Sequence, residues 1–148
     1  MKTTLCKLSV LSSIVLAMFF TSCGKKDTPD SVTDELLTKF DELITTLESV
    51  KDKDSAEAAA KKIDTIGNDF QDIAKRLDAL PEPSEEEKKA LDEKMDKAMD
   101  AKQEKMGSAM KGVMSDPEAA KIIMEAMKGF GEKMQEAEKT FKKFGKKD

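Results

Sequence analysis

The chain has no histidine, tryptophan or tyrosine. Without histidine there is no side chain that titrates near neutrality unaided, no triad of the usual kind and no imidazole ligand for zinc. Its two cysteines, Cys6 and Cys23, both fall near the start. Aromatic residues make up only 5% and all are phenylalanine, which argues against a sugar-stacking site. No glycine-rich phosphate loop and no oxygen-rich calcium loop can be found. Composition leaves room for a carboxylate-only or lysine-based enzyme, but no motif supports one. The expectation is a protein that is not an enzyme and carries no cofactor.

What is present begins with a basic start, Lys2 and Lys7, with no acid before Cys23. An apolar run from Leu8 to Phe20 follows. Its 13 residues fall short of the about 20 that a helical membrane span needs. A basic start, a short apolar run and small residues before a cut mark a secretory signal. Here the small residues are Thr21 and Ser22, and a cysteine follows at once.

Phe20-Thr21-Ser22-Cys23 resembles the lipobox of bacterial lipoproteins. The family usually has Leu where Phe20 stands. The resemblance implies that residues 1–22 are a signal peptide that is cut away. It also implies that the Cys23 thiol carries a diacylglyceryl group and that the new amino terminus is often acylated. Cys6 would leave with the signal, so no thiol would remain for a disulfide, a metal or nucleophilic chemistry. Each buried methylene is worth about 0.8 kcal/mol, and one chain alone holds only marginally. Two or three chains on Cys23 would hold the protein to a membrane. Gly24, rather than Asp, follows the cysteine. In the enteric pattern this implies a cell-envelope lipoprotein of the outer membrane, on its periplasmic or surface face.

Residues 23–30 read as the lipidated cysteine and a polar, flexible tether. Gly24 to Asp30 extends at most about 25 Å, so the domain would lie near the membrane. Loss of Lys2 and Lys7 takes the formal charge from −4 to −6, which disfavours nucleic acid as a partner.

Residues 31–148 read as one domain. Val32, Leu36, Phe40, Leu43, Leu47 and Val50 recur at threes and fours and draw an apolar stripe down a first helix. Ile63, Ile66, Phe70, Ile73, Leu77 and Leu80 do the same for a second, which Pro81 and Pro83 end. Ser84-Glu85-Glu86-Glu87 is a capping-box pattern and opens a third helix. Asp116-Pro117 opens a fourth, with Ala120, Ile123, Met127, Phe130, Met134, Ala137, Phe141 and Phe144 on its stripe. Four stripes with short breaks predict an all-α fold. It would be an antiparallel up-down bundle of about four helices, or a less regular set of two hairpins, preceded by a signal helix.

The third and fourth helices carry eight of the ten methionines. Met95 and Met99, and Met106 and Met110, are spaced four apart, so their thioethers share a helix face. Three readings follow. Methionine fills irregular cores, soft thioethers suit Cu(I), and a methionine-rich groove can receive an apolar partner. The core reading is favoured, because these residues lie on a stripe that must be buried anyway.

Lys102 interrupts the third apolar arc. The expectation is a stem lying along apolar surface with its ammonium in water. Lys142, Lys143, Lys146 and Lys147 close the chain. They complement a helix C-terminus and are candidate contacts to anionic lipid, each worth about 1 kcal/mol near a membrane surface. An even number of helices places both termini at one end, next to the tether. The function expected is a membrane-anchored lipoprotein that binds, spaces or scaffolds, with the membrane and possibly another protein as partners. A Cu(I)-handling protein is the alternative.

Overall fold

Every helix opens where a side chain answers free backbone amides. The computed structural model describes residues 27–144, apart from the side chains of Lys142 and Lys143. The signal segment, Cys23, Lys146 and Lys147 lie outside these residues.

Helix α1 spans Pro29–Glu48. It starts inside the segment read as tether, because Thr28 caps it and Pro29 stands at its first turn. The Ser31 amide donates to the Thr28 hydroxyl at 3.1 Å, and the Thr28 amide to the Ser31 hydroxyl at 3.0 Å. Helix α2 spans Lys53–Asp78, with Asp52 as its cap. Helix α3, Glu85–Val113, opens on the expected capping box. Its Ser84 amide donates to the Glu87 carboxylate at 2.8 Å. It runs unbroken through Gly107 and ends just past Gly112. Helix α4 spans Pro117–Phe144, and the Asp116 carboxylate accepts the Glu118 and Ala119 amides at 2.9 Å each.

The four helices form a bundle with no strand among the described residues. Their directions alternate, as expected, but the neighbours are unusual. α2 packs chiefly on α4, and α1 on both α3 and α2. Among the described residues no backbone approach within 8 Å links α2 to α3 or α1 to α4. The bundle is therefore built on two parallel pairs, α1 with α3 and α2 with α4, joined through the packing of α1 on α2. Polar contacts follow the same registers: Lys133 meets Asp64, Gln71 meets Glu136, and Lys94 meets Asp30 and Asp34. The prolines after α2 belong to a link that crosses the bundle diagonally.

Phe70 is the hub. It is fully buried, with its ring edge-on to Phe40 at 4.9 Å and to Phe130 at 5.4 Å. One ring thereby ties α1, α2 and α4 together. Gly67, one turn earlier, lets α4 come close. A Cβ there would lie 2.8 Å from Cδ of Lys133, whose stem crosses the glycine to reach Asp64 and Asn68 at 2.7 Å each.

α3 is held differently. Its buried apolar residues are Leu91, Ala109 and Val113, and Met95, Met106 and Met110 are only partly covered. Lysines supply much of its grip on α1. Lys94 reaches Asp30 at 2.7 Å and Asp34 at 2.6 Å, and Lys102 pairs with Asp41. α3 and α4, although consecutive, meet at only a few positions.

Candidate functional site

Imperfect closure between α3 and α4 leaves an apolar cavity at one end of the bundle, of about 240 Å³. α1 contributes Val32, Thr33, Leu36 and Phe40, and α2 contributes Ile73 and Leu77. α3 adds Leu91, Asp92, Met95 and Met99, and α4 adds Met134, Phe141 and Phe144. These residues come from the start of α1 and α3 and the end of α2 and α4. The cavity therefore lies at the end where the chain enters the fold.

Its chemistry is simple. The Thr33 hydroxyl donates to the Pro29 carbonyl at 2.8 Å, so its proton is already engaged and only its oxygen can accept. Among the described residues, Asp92 is the only ionisable one in the lining. The remaining lining is hydrocarbon, aromatic ring and thioether. An engineered cavity of roughly 150 Å³ lined this way stays dry and accepts benzene, so this larger one has room for an apolar group. Thioethers suit an adaptable wall, because methionine is unbranched and polarizable.

A clamp stands beside the cavity. Arg76, next to the lining residue Leu77, grips Asp27 with a two-pronged fork. Its Nε donates to Oδ2 at 2.9 Å and its Nη2 to Oδ1 at 2.8 Å. Its Nη1 donates to Glu35 at 2.9 Å. Paired planar geometry of this kind is what a guanidinium offers and an ammonium does not. The hydrogen bond from Arg76 holds the Asp27 carboxyl below its ordinary value of 3.8. Asp27 and Glu35 in turn hold the guanidinium further into its charged range. Lys94 is raised likewise, by Asp30 and then Asp34. Asp27, Asp30, Asp34 and Glu35 are thus each matched by a cation.

Of the methionines singled out for copper, Met95 and Met99 line the cavity and Met134 faces them from α4. Met106 and Met110 pack against the core farther along α3. At 1.5 Å of rise per residue, Met95 and Met106 stand about 16 Å apart, so the four do not meet at one point. Among the described residues no group of three or more His, Cys, Asp or Glu could hold a metal ion. Lys102 lies outside the cavity lining and is engaged by Asp41. The backbone of Lys142 and Lys143 lies in the last turn of α4, between the lining residues Phe141 and Phe144.

Sequence reading missed the Arg76 clamp. A signal was present, since Arg76 is the lone arginine of a lysine-rich chain. It also missed Thr33, Met134, Phe141 and Phe144 as cavity wall, assigning the last three to a solid core. No known family model, curated protein or solved structure matches the chain. Among the described residues no helix is long and apolar enough to cross a membrane.

Proposed function

We propose that this chain is a bacterial cell-envelope lipoprotein, anchored through a lipidated Cys23 to a membrane, in the first instance the outer membrane. It acts without catalysis, as a binding module whose working element is the cavity at its tethered end; spacing or scaffolding accompanies that role. The observation that carries the reading is the position of the cavity. It lies at the end where Asp27 is clamped, four residues beyond Cys23. Those four residues span at most about 14 Å. The lipobox-like Phe20-Thr21-Ser22-Cys23 supplies the anchor in this reading.

The test is Cys23→Ser, followed by fractionation and metabolic labelling with palmitate. The variant should lose the label and leave the membrane fraction or remain uncut. Unchanged lipid labelling would overturn the assignment. Crosslinking the anchored protein in native membranes then identifies what it touches.

One observation keeps a Cu(I) reading alive, the convergence of Met95, Met99 and Met134 on one cavity. Titration with Cu(I) under reducing conditions separates the two readings. Failure to outcompete a weak chelator ends the copper alternative.

A further inference from the structure

We infer that the cavity binds a compact, uncharged aromatic molecule with the bulk of two fused rings. The inference rests on the reading of the chain as a binding module and deepens it by naming the class of ligand. Size, lining and access support it.

Size sets the bulk of the ligand. A cavity of roughly 150 Å³ lined by leucine, isoleucine and phenylalanine holds benzene. This one is about 240 Å³. In proportion it holds about ten heavy atoms, the bulk of two fused rings. Its wall runs from Val32 to Phe40 on α1 and from Leu91 to Met99 on α3. Each stretch covers about 12 Å along its helix. Two fused rings fit that length, whereas a long acyl chain does not fit it extended.

The lining sets its chemistry. Met95, Met99 and Met134 bring thioethers from two helices to one cavity, and Phe40 and Phe141 bring rings. Sulfur beside an aromatic ring, and one ring edge-on to another, are favourable contacts that a saturated ligand does not make. Among the described residues, the polar side chains of the lining are Thr33 and Asp92. The Thr33 proton is engaged by Pro29 and a carboxylate has none, so both groups accept and neither donates to a ligand. An anion would lose its water here without gaining a donor. It would also meet the Asp92 carboxylate as a like charge. A hydroxyl on an uncharged ligand can donate to these oxygens instead.

Access comes from the weakest seam of the bundle. α3 and α4 approach each other at only a few positions. Met95, Met99 and Met134, which line the cavity from these two helices, are half-buried. Methionine is unbranched and turns easily. A flat ligand can enter past these side chains without parting the α2–α4 face that Phe70 and Phe130 hold together.

The experiment uses the full-length lipidated chain in phosphatidylcholine nanodiscs, with isotope-labelled methionine methyls read by nuclear magnetic resonance. The probes are 2-naphthol and, in a separate arm, its anionic counterpart 2-naphthoate, each followed by its free concentration in the buffer. 2-Naphthol should shift the methyls of Met95, Met99 and Met134 with a Kd on the order of 10–100 µM. The exposed Met114 and Met124 should not move. 2-Naphthoate should bind at least about tenfold more weakly. Met99→Trp, which fills the cavity, should abolish the shifts at Met95 and Met134. Should that variant fail to fold, the two arms on the natural chain decide alone.

Cavity methyls that stay still up to about 1 mM 2-naphthol overturn the inference, as do shifts spread equally over Met114 and Met124. Equal affinity for the two probes overturns it too. Shifts without ligand when two chains share a nanodisc assign the cavity to a second copy and have the same effect. Ligand shifts appearing only in Cys23→Ser would show that the chain's own anchor occupies the cavity, and the inference would fall likewise. Intact mass separates this inference from the reading beneath it. A lipidated chain without the cavity shifts sinks the ligand alone. A chain that shows them but lacks diacylglycerol at Cys23 sinks the anchored reading and leaves the ligand standing.

Discussion

Two truncations test whether the cavity exists in solution. Phe70→Ala removes a ring that is 0% exposed and meets Phe40 and Phe130 edge-on. Buried Phe→Ala changes cost about 3–5 kcal/mol, and each edge-on ring pair adds about 0.5–1.5 kcal/mol. The loss should therefore fall at the upper end, about 5 kcal/mol, against a total stability of about 5–15 kcal/mol for a domain of ordinary size. Met99→Ala is the contrast. Buried Met→Ala changes cost about 2–5 kcal/mol. Met99, however, is only half-buried and faces empty space on its cavity side, where it has no atoms to lose. Its truncation should cost less than about 1.5 kcal/mol. The assay is urea unfolding followed by far-ultraviolet circular dichroism, since the chain has no tryptophan to report by fluorescence. With a slope of about 2 kcal/mol per molar urea, Phe70→Ala should lower the midpoint by about 2.5 M and Met99→Ala by less than about 1 M. Equal losses would mean that Met99 is packed on all sides and the cavity is closed. A Phe70→Ala loss below about 1.5 kcal/mol would refute the hub.

Asp27, Asp52, Asp64 and Glu87 are held below their ordinary values by hydrogen bonds from Arg76, Ser55, Lys133 and Ser84. Their contribution is complete above about pH 4.5 and is lost as pH falls through the lowered folded values. Lys39, Lys88 and Lys94 are raised by Asp69, Glu82 and Asp30. Their contribution is complete below the ordinary 10.5 and is lost as pH rises through the folded values. With no histidine in between, urea midpoints should be flat from about pH 5.5 to 9; a step inside that window contradicts the assignment. Lys94→Met should cost less than about 1 kcal/mol overall, because the pair is partly exposed. It should nonetheless speed amide exchange in the first turns of α3 more than in α2, and uniform acceleration across the bundle would count against a separately held α3.

Most of the secondary structure was legible because its signals are local. Ser84 with Glu87, and Asp116 with Pro117, mark helix starts by the chemistry of neighbouring backbone amides. The start of α1 falls inside the segment read as tether, because Thr28 is answered by Ser31 rather than by an acid. The stripes also named the core well: Val32, Leu43, Leu47, Ile63, Ile66, Phe70 and Ile73 are all buried. Pairing was not legible. Periodicity states which face of a helix is apolar, and that face serves any neighbour of suitable shape. The short break between α2 and α3 suggested adjacency, yet Pro81 and Pro83 carry the chain across the bundle. The cavity was illegible for a related reason, since a void arises from how far apart two faces settle.

The origin of that void lies in the unequal quality of the four stripes. α2 and α4 bring Ile63, Ile66, Ile73, Ile123 and two phenylalanines to their shared face, with Gly67 and small alanines setting the distance. Branched and aromatic side chains of this kind fill space in few rotamers and lock the pair together. α3 brings Leu91 and Val113, but otherwise methionine, alanine and lysine. Its ion pairs with α1 fix its position along the bundle but press it inward weakly, since exposed pairs contribute about 0–1 kcal/mol each. Seated chiefly on α1, α3 approaches α4 at only a few positions. Met95, Met99 and Met134 border the remaining space and leave it partly unfilled. The methionine face therefore divides along its length: near Met106 and Met110 it is core, and near Met95 and Met99 it is the wall of the candidate binding site.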